Sequence, residues 1–467
     1  MPVVARSLQI LSGVFSASVI PSALAAASLW IVSSLAIAQE PATPEPAVPA
    51  EPVPASEPTP QEPAPPATAT AAADAGCLNE ILAQQKLTRT VREIRNPLPR
   101  PEKVDKRGYL QFLAAGFSSP AETKVVQDYL DSSILQASDP VYAESTRNMQ
   151  NLIEDVKDDV ARAGSGIGNA TNQAAARKKY CSEVLKTARK LLDNNLDSRM
   201  AAVRIMHYLY EVMPVQNGAK ARLHPEALTA LLAVLNDPAQ PDSVKVVAAS
   251  SLRNVLMNCD VVEIDQFRIC DALGKELARP CSEAAFQLVL IDTVYEINKP
   301  RRTVGSPEPT AFRVLASALN DRSKPVEVRC HAARGIGRCA FDTQMKLDPF
   351  AWKITQLAGD AALEFTKSPG NPKWPECGID LLLAFRHNTQ AEATAPILEA
   401  KGLMNRDPKS AVISAASPFI TTVALKLIEN KSSNKFSVQD LTPLAQWIRA
   451  NQPAALTWDA SAPPLTP

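Results

Sequence analysis

The sequence predicts an all-α fold made of repeated helical hairpins, and three observations support this. Apolar residues make up 46% of the 467 residues and aromatic residues only 5%, which favours helices packed through small aliphatic faces over β-sandwiches. The apolar positions of the central region recur with a fixed period, as they do in stacked helical pairs. Prolines fall between the apolar stripes, where a missing N–H is tolerated. We expect the chain beyond residue 77 to be nearly all helix, with no sheet.

The repeat is clearest between two segments 84 residues apart, 227–256 and 311–340, which align without a gap. Half that distance on, 42 residues after the first segment, the apolar positions recur once more. A period near 42 with two helical stripes and one turn per unit is typical of α-helical repeat arrays. The matched residues are Ala227 with Ala311, Leu231 with Leu315, Leu235 with Leu319, Val244 with Val328, Ala248 with Ala332, Ala249 with Ala333 and Leu252 with Ile336.

The motif within each unit resembles the repeat of the HEAT family. A first helix ends in Leu-Asn-Asp, a proline-containing turn follows, and the second helix carries Val-Arg, two alanines and Ile-Gly. The resemblance covers roughly residues 178–390 and implies a HEAT-type α-solenoid of about five to six helical hairpins with a helical N-terminal region. The best copy consists of Leu319-Asn320-Asp321, Pro325, Val328-Arg329, Ala332-Ala333 and Ile336-Gly337.

The resemblance also implies a ladder of hydrogen bonds between units. It assigns the ladder to Asp237 with Lys245 and to Asp321 with Arg329. The middle copy has an arginine and a glutamine at the equivalent positions, so the ladder is not expected to be continuous.

Four arginines on second helices are the candidate binding residues. HEAT proteins turn these helices to their concave side, so the resemblance implies that the arginines line a binding surface. The more ordinary interpretation is that they are ladder residues and charges of a solvated helix face. The candidates are Arg253, Arg329, Arg334 and Arg338, with His331 on the same helix as the last three.

The N-terminal segment predicts export. Residues 1–38 hold one basic residue, Arg6, before a long run of apolar and small residues that ends in Ala36-Ile37-Ala38. Small residues two apart at the end of an apolar run are typical of a signal-peptide cleavage site. The run is also long enough to span a bilayer, so an uncleaved N-terminal anchor is the alternative. Either way we expect the protein in the periplasm or cell envelope.

The rest of the chain divides by composition. Residues 39–76 are rich in Pro, Glu and Ala without a large apolar residue beyond valine, which predicts a disordered linker. Residues 77–176 predict a helical N-terminal region, 177–452 the repeat array and 453–467 a disordered tail. The glycine-rich stretch 164–168 is expected to be a flexible joint.

The eight cysteines show no close spacing typical of a disulfide framework. Most lie at apolar helix positions, where a cysteine acts as a small buried hydrophobe. If any bridge forms, Cys259 with Cys270 is the pair we expect.

No motif points to catalysis, a cofactor or a metal. The four histidines lack H-E-x-x-H spacing, and neither a C-x-x-C pair nor a G-x-S-x-G sequence occurs. Lys plus Arg and Asp plus Glu both number 49, whereas a nucleic-acid binder usually carries a basic excess. We therefore expect a non-enzymatic scaffold with unknown protein partners, contacting a membrane only through an uncleaved N-terminus. A helical envelope enzyme and a self-assembling structural protein are the alternatives.

Cleavage of the signal gives a first prediction: the mature protein begins near Gln39. Intact-mass analysis of the exported protein checks this prediction. A mass that retains residues 1–38 would instead identify the segment as an anchor.

Overall fold

Eighteen α-helices and one two-stranded ribbon form the regular structure of the described residues in this computed structural model. The predicted all-α class is confirmed at this level. The predicted signal segment and the Pro-Glu-Ala part of the linker lie outside the described residues. The structure describes residues 68–214, 220–279, 282–301, 310–342, 345–386, 402–431, 433, 435–458 and 465.

Five helices precede the array, and polar caps fix where several of them begin. Ser119 and Glu122 form a reciprocal capping box at the start of the third helix, which satisfies two backbone N–H groups that a helix start leaves unpaired. Asp105 and Ser145 cap the second and fifth helices. The five helices are α1 (Thr68–Arg92), α2 (Lys106–Ala115), α3 (Pro120–Ile134), α4 (Pro140–Ala143) and α5 (Thr146–Arg162).

Helix α1 begins at Thr68, nine residues before residue 77, where the helical region was predicted to start. The reason is local composition. After Pro66 the prolines stop, and the sequence becomes rich in alanine, the residue with the highest helix propensity. The predicted boundary between linker and helical region is therefore wrong by about two helical turns.

The array consists of five helical pairs packed in two layers. Successive second helices pack on one another, and so do successive first helices. Each pair thereby covers an apolar face that its neighbour exposes. The first helices are α6 (Ala170–Lys190), α8 (Pro225–Asn236), α10 (Glu263–Leu277), α12 (Thr310–Asn320) and α14 (Asp348–Lys367). The second helices are α7 (Leu196–His207), α9 (Asp242–Asn258), α11 (Ala284–Val294), α13 (Val326–Arg338) and α15 (Lys373–Phe385).

A short ribbon interrupts the array between α7 and α8. Strand β1 (Tyr210–Val212) pairs antiparallel with β2 (Arg222–Leu223). The expectation of a fold without any sheet is therefore wrong at this point. Tyrosine and valine favour the extended conformation, and the neighbouring residue Ala221 forms a bridge with Cys259 at the end of α9.

Small residues allow the second helices to approach closely. The alanine pairs at 248–249 and 332–333 are fully buried, as their place in the repeat predicts. At Gly337 a Cβ atom would lie 2.4 Å from the carbonyl oxygen of Ala384 in α15. Only a glycine fits at this crossing, because any side chain would force the two helices apart.

Three more helices complete the described chain: α16 (Leu403–Arg406), α17 (Ala411–Glu429) and α18 (Val438–Ala450). Helix α17 is long and apolar enough to cross a membrane by length and composition, with a mean hydropathy of 1.7 over a window of 18 residues. It packs on both α14 and α15, and Ile413, Ile420 and Leu427 are buried. These contacts are those of a core helix.

The glycine-rich stretch 164–168 is packed, in contrast to the flexible joint predicted from its composition. The N–H groups of Gly164 and Gly166 donate to the carbonyls of Leu113 and Ala114 at the end of α2. Gly164 has a φ of +73° and no room for a side chain beside Gln173. The glycines therefore permit close approach to α2 and α6.

At residues 453–458 the chain differs from the disorder predicted over 453–467, and residues 459–464, 466 and 467 lie outside the described residues. The Trp458 side chain is buried, and the Trp458 carbonyl accepts a hydrogen bond of 2.8 Å from the N–H of Lys346. A large indole gains more from burial against the array than the short segment loses in conformational freedom.

Six cysteines are buried thiols outside any disulfide, as most were predicted to be: Cys181, Cys259, Cys270, Cys330, Cys339 and Cys377. The suspected Cys259–Cys270 bridge is therefore wrong. Both side chains lie in the apolar core, where burial raises the pKa of the Cys259 thiol to about 11 and keeps it protonated. Cys77 in α1 is disulfide-bonded.

The close approach at Gly337 gives a second prediction. Gly337→Ala should lower the free energy of unfolding by about 1–3 kcal/mol through overpacking, despite the higher helix propensity of alanine. Gly168→Ala is the matched control, because no atom lies within 4 Å of a Cβ built there. Urea denaturation of both variants measures the difference. Equal losses would mean that α13 and α15 do not approach as described.

Candidate functional site

A network of paired charges crosses four second helices of the array. It begins at Arg253 of α9, one of the four predicted arginines. The Arg253 guanidinium donates at 3.2 Å to Asp292 and at 3.2 Å to Glu296, both near the end of α11. It also donates at 3.0 Å to the hydroxyl of Tyr295. The predicted surface arginine is thus held by a neighbouring helix.

His331 of α13 continues the network in both directions. Its Nε2 lies 2.8 Å from Asp292 of α11, and its Nδ1 lies 2.9 Å from Asp380 of α15. Arg334, one turn further along α13, donates to the other oxygen of Asp380 at 3.2 Å. An ionised carboxylate only accepts hydrogen bonds, so both ring nitrogens must carry a proton. His331 is therefore an imidazolium between two aspartates.

The pKa values follow from these contacts. Burial disfavours the charged imidazole, but the hydrogen bonds to Asp292 and Asp380 outweigh it and raise the pKa of His331 to about 9. Burial likewise opposes ionisation of Asp292, yet His331 and Arg253 hold the pKa of Asp292 at about 2. Burial, followed by Asp292, raises the pKa of Tyr295, so its hydroxyl stays neutral.

The network is electrically balanced and partly exposed. It contains three cations (Arg253, His331 and Arg334) and three carboxylates (Asp292, Glu296 and Asp380). The two arginine side chains and Asp292 each retain about a quarter of their exposed area, whereas Asp380 retains 8%. A surface of this kind presents paired charges and hydrogen-bonding groups without a net field.

The other two candidate arginines lie elsewhere. Arg329 is 5% exposed, and its guanidinium donates to the Leu319 carbonyl and to Asp360. Arg329 therefore lies in the interior between the two layers of helices, because the fourth residue of α13 faces the first-helix layer. Arg338 lies half-buried at the end of α13, where its carbonyl accepts a hydrogen bond from Arg406. The structure thus brings two of the four predicted arginines into one network.

A second set of polar contacts joins the units through the fourth residue of each second helix. Lys245 of α9 donates to Glu276 at 2.9 Å, and Arg329 of α13 donates to Asp360 at 3.2 Å. In both cases the acceptor lies 31 residues later, in the first helix of the next unit. The basic residues of the predicted ladder therefore do join units, but through other carboxylates.

The predicted ladder aspartates bind locally. Asp237 accepts from the N–H of Ala239 at 2.8 Å, and Asp321 accepts from the N–H of Ser323 at 2.9 Å. Each closes the turn between its own two helices, as aspartates commonly do. The pairing of Asp237 with Lys245 and of Asp321 with Arg329 is therefore corrected.

A second arrangement, which was not predicted from the sequence, joins the first unit to the second and the third unit to the fourth. A turn residue reaches back to the fourth residue of the preceding second helix. The Arg199 guanidinium donates to Gln240 at 3.0 Å, and Lys324 donates to Gln287 at 3.0 Å. Gln240 and Lys324 also donate to carbonyls of that preceding unit. The two arrangements alternate along the array, so the full polar pattern repeats every two units.

The Ser182–His224 pair has a distance compatible with catalysis but the wrong tautomer. Ser182 Oγ lies 2.9 Å from His224 Nε2, whereas His224 Nδ1 accepts the N–H of Glu226 as the helix cap of α8. Burial lowers the pKa of His224, so the ring is neutral and its proton lies on Nε2. It therefore donates to the serine and cannot remove its proton.

Among the described residues, no three His, Cys, Asp or Glu side chains are grouped so that they could hold a metal ion. The chain as a whole matches no known family model, no curated protein and no solved structure.

The imidazolium at position 331 gives a third prediction. A raised folded pKa stabilises the protein fully below the unfolded value of about 6.5, and the gain is lost as the pH rises toward 9. Between pH 6.5 and 8 the titration of His331 should lower the free energy of unfolding by about 1–2 kcal/mol. The window stops at 8 because burial lowers the pKa of Lys353 to about 8, which adds the opposite slope above that pH.

His331→Gln removes this titration and should flatten that part of the pH profile. His207→Gln is the control, because burial and then Lys157 lower the pKa of His207 to about 4, so it is neutral throughout the window. Urea denaturation at several pH values measures both variants. A slope that survives in His331→Gln but disappears in His207→Gln would contradict the assignment.

Proposed function

We propose that this chain is an exported HEAT-type α-solenoid that acts as a protein-binding scaffold, without catalytic activity of its own. The observation that carries the proposal is the charge network across α9, α11, α13 and α15. In a solenoid of this type the second helices line the concave side, so one continuous partly exposed surface spans four units. Extended surfaces of stacked repeats suit protein partners.

The balanced charge of this surface supports a protein partner over a polyanion. Nucleic-acid binding depends on releasing counterions with an excess of Lys and Arg. Here each exposed arginine of the network already faces a carboxylate. A protein segment with its own polar and charged groups can exchange hydrogen bonds with such a surface.

The disulfide at Cys77 supports an oxidising compartment, because disulfides persist in the periplasm and outside the cell but are rare in the cytosol. Together with the apolar N-terminal segment it favours the periplasm or cell envelope. The His224 nitrogen that faces Ser182 carries a proton and cannot act as a base. This weakens the alternative that the serine–histidine pair is an enzyme site.

A capture experiment tests the proposal and gives a fourth prediction. The purified protein should retain a stoichiometric partner from an envelope extract. Arg334→Gln should reduce that capture about tenfold, because a hot-spot arginine in an interface contributes more than 1 kcal/mol. Arg268→Gln is the matched control, since Arg268 also pairs with an aspartate but lies exposed on a first helix.

Circular dichroism must first show that both variants are folded. Undiminished capture by folded Arg334→Gln would exclude this face as the binding surface. Self-assembly of the pure protein into sheets would support the structural alternative, and turnover of wall fragments would support the enzyme.

A further inference from the structure

Helix α1 lies against α7 and α9 through a single stripe of side chains. Positions that are at least partly buried recur every three or four residues, the spacing of one helix face. The opposite face is exposed and includes Leu78 and Leu82. The inward positions are Cys77, Glu80, Ile81, Gln84, Leu87, Thr88 and Val91.

This stripe buries little apolar surface. Ile81, Leu87 and Val91 are its aliphatic residues, and of these only Val91 is fully buried, at 3% exposure. Gln84 carries a buried amide oxygen without a hydrogen-bond partner, which disfavours docking. Isolated helices are marginal in water, so α1 depends on more than its apolar contacts to stay in place.

The C-terminal end of α1 is fixed by the chain that follows it. The carbonyl of Asn96 accepts from the side chain of Asn194 at 3.0 Å, and the N–H of Leu98 donates to Ser138 at 2.8 Å. With the buried Val91 these contacts hold the helix end beside α7. They do not depend on any covalent link.

The N-terminal half is held by the disulfide at Cys77 and by one ion pair. The other seven cysteines of the chain all lie at residue 181 or later, so the disulfide ties α1 to the array. Glu80, one turn later, accepts from Arg279 at 3.2 Å. Arg279 also donates to Asp242 at the start of α9 and to Glu276 near the end of α10. Through this arginine the N-terminal half of α1 touches the second and third units of the array, whereas its C-terminal end touches the first.

We propose that α1 is a redox-locked brace across the first three units of the array. With the disulfide formed, both halves of α1 are fixed and the helix ties these units together. With the disulfide reduced, the Glu80–Arg279 pair does not hold the N-terminal half, because a single partly exposed ion pair contributes little. That half then leaves the array, while the end near Val91 stays docked.

The chemical step needs a thiol reductant. Two electrons and two protons from a dithiol convert the disulfide at Cys77 into two thiols, and the dithiol becomes a disulfide. Before export the thiols of a reducing cytosol would leave the brace open. Oxidation outside the cytosol would close it. This inference depends on the Cys77 disulfide and does not depend on the scaffold role.

Hydrogen exchange of the full chain, read by mass spectrometry, tests the brace and gives a fifth prediction. Dithiothreitol should accelerate amide exchange in residues 78–86 at least tenfold. The start of α9, near Asp242, should also exchange faster, whereas α5 should not change. Cys77→Ser should show the same fast exchange without reductant, and reductant should then change nothing further. Thiol labelling verifies that Cys77 has been reduced.

Three outcomes would overturn the redox-locked brace. Unchanged exchange in 78–86 after verified reduction would mean that α1 stays docked without the covalent link. Faster exchange throughout the chain would mean that the disulfide stabilises the whole fold. Glu80→Gln adds a second variant: its exchange in 78–86 should stay slow with the disulfide formed, since the lock is covalent. Fast exchange there in the oxidised variant would assign the lock to the ion pair.

Discussion

The contact between successive second helices is the constraint on which the rest of this structure depends. Each of these helices must bury its alanines and aliphatic residues against the next one. The fourth residue of each of the first four second helices is polar and is buried where it meets a neighbouring unit, as Arg199, Lys245, Gln287 and Arg329 show. A buried polar group is stable only with a partner. Packing of one unit therefore fixes which side chains the next unit must supply.

The repeat and the helical class could be predicted because they depend on apolar periodicity, which a single sequence displays directly. Residues such as Leu235 and Leu252 are buried where the 42-residue period placed them. The points where ordered structure begins and ends were harder to predict, because they depend on small local gains in stability. Alanine content extends α1 into the linker, and one indole, Trp458, docks the tail.

Polar partners could be predicted only in part. The basic residues Lys245 and Arg329 were recognisable from their place in the motif, but their carboxylates lie on a different helix 31 residues away. The same holds for the charge network. Arg253, Asp292 and His331 follow one another at intervals of 39 residues, close to the repeat period. Charges of alternating sign at that interval are the signal in the sequence that marks the network, and the four candidate arginines carry only one of the two signs.

The two alternating polar arrangements have a consequence for how such an array can change in length. Glu276 and Asp360, the acceptors for Lys245 and Arg329, lie 84 residues apart, and the position midway between them is Ala318. Loss of the third helical pair alone, α10 with α11, would place the buried Lys245 opposite that alanine. Its charge would then have no counterion, which is strongly destabilising. Loss of the third and fourth helical pairs together would instead place Lys245 opposite Asp360, so the buried charge would keep a counterion. For this contact the array can therefore be shortened by four helices but not by two, although the packing unit is two.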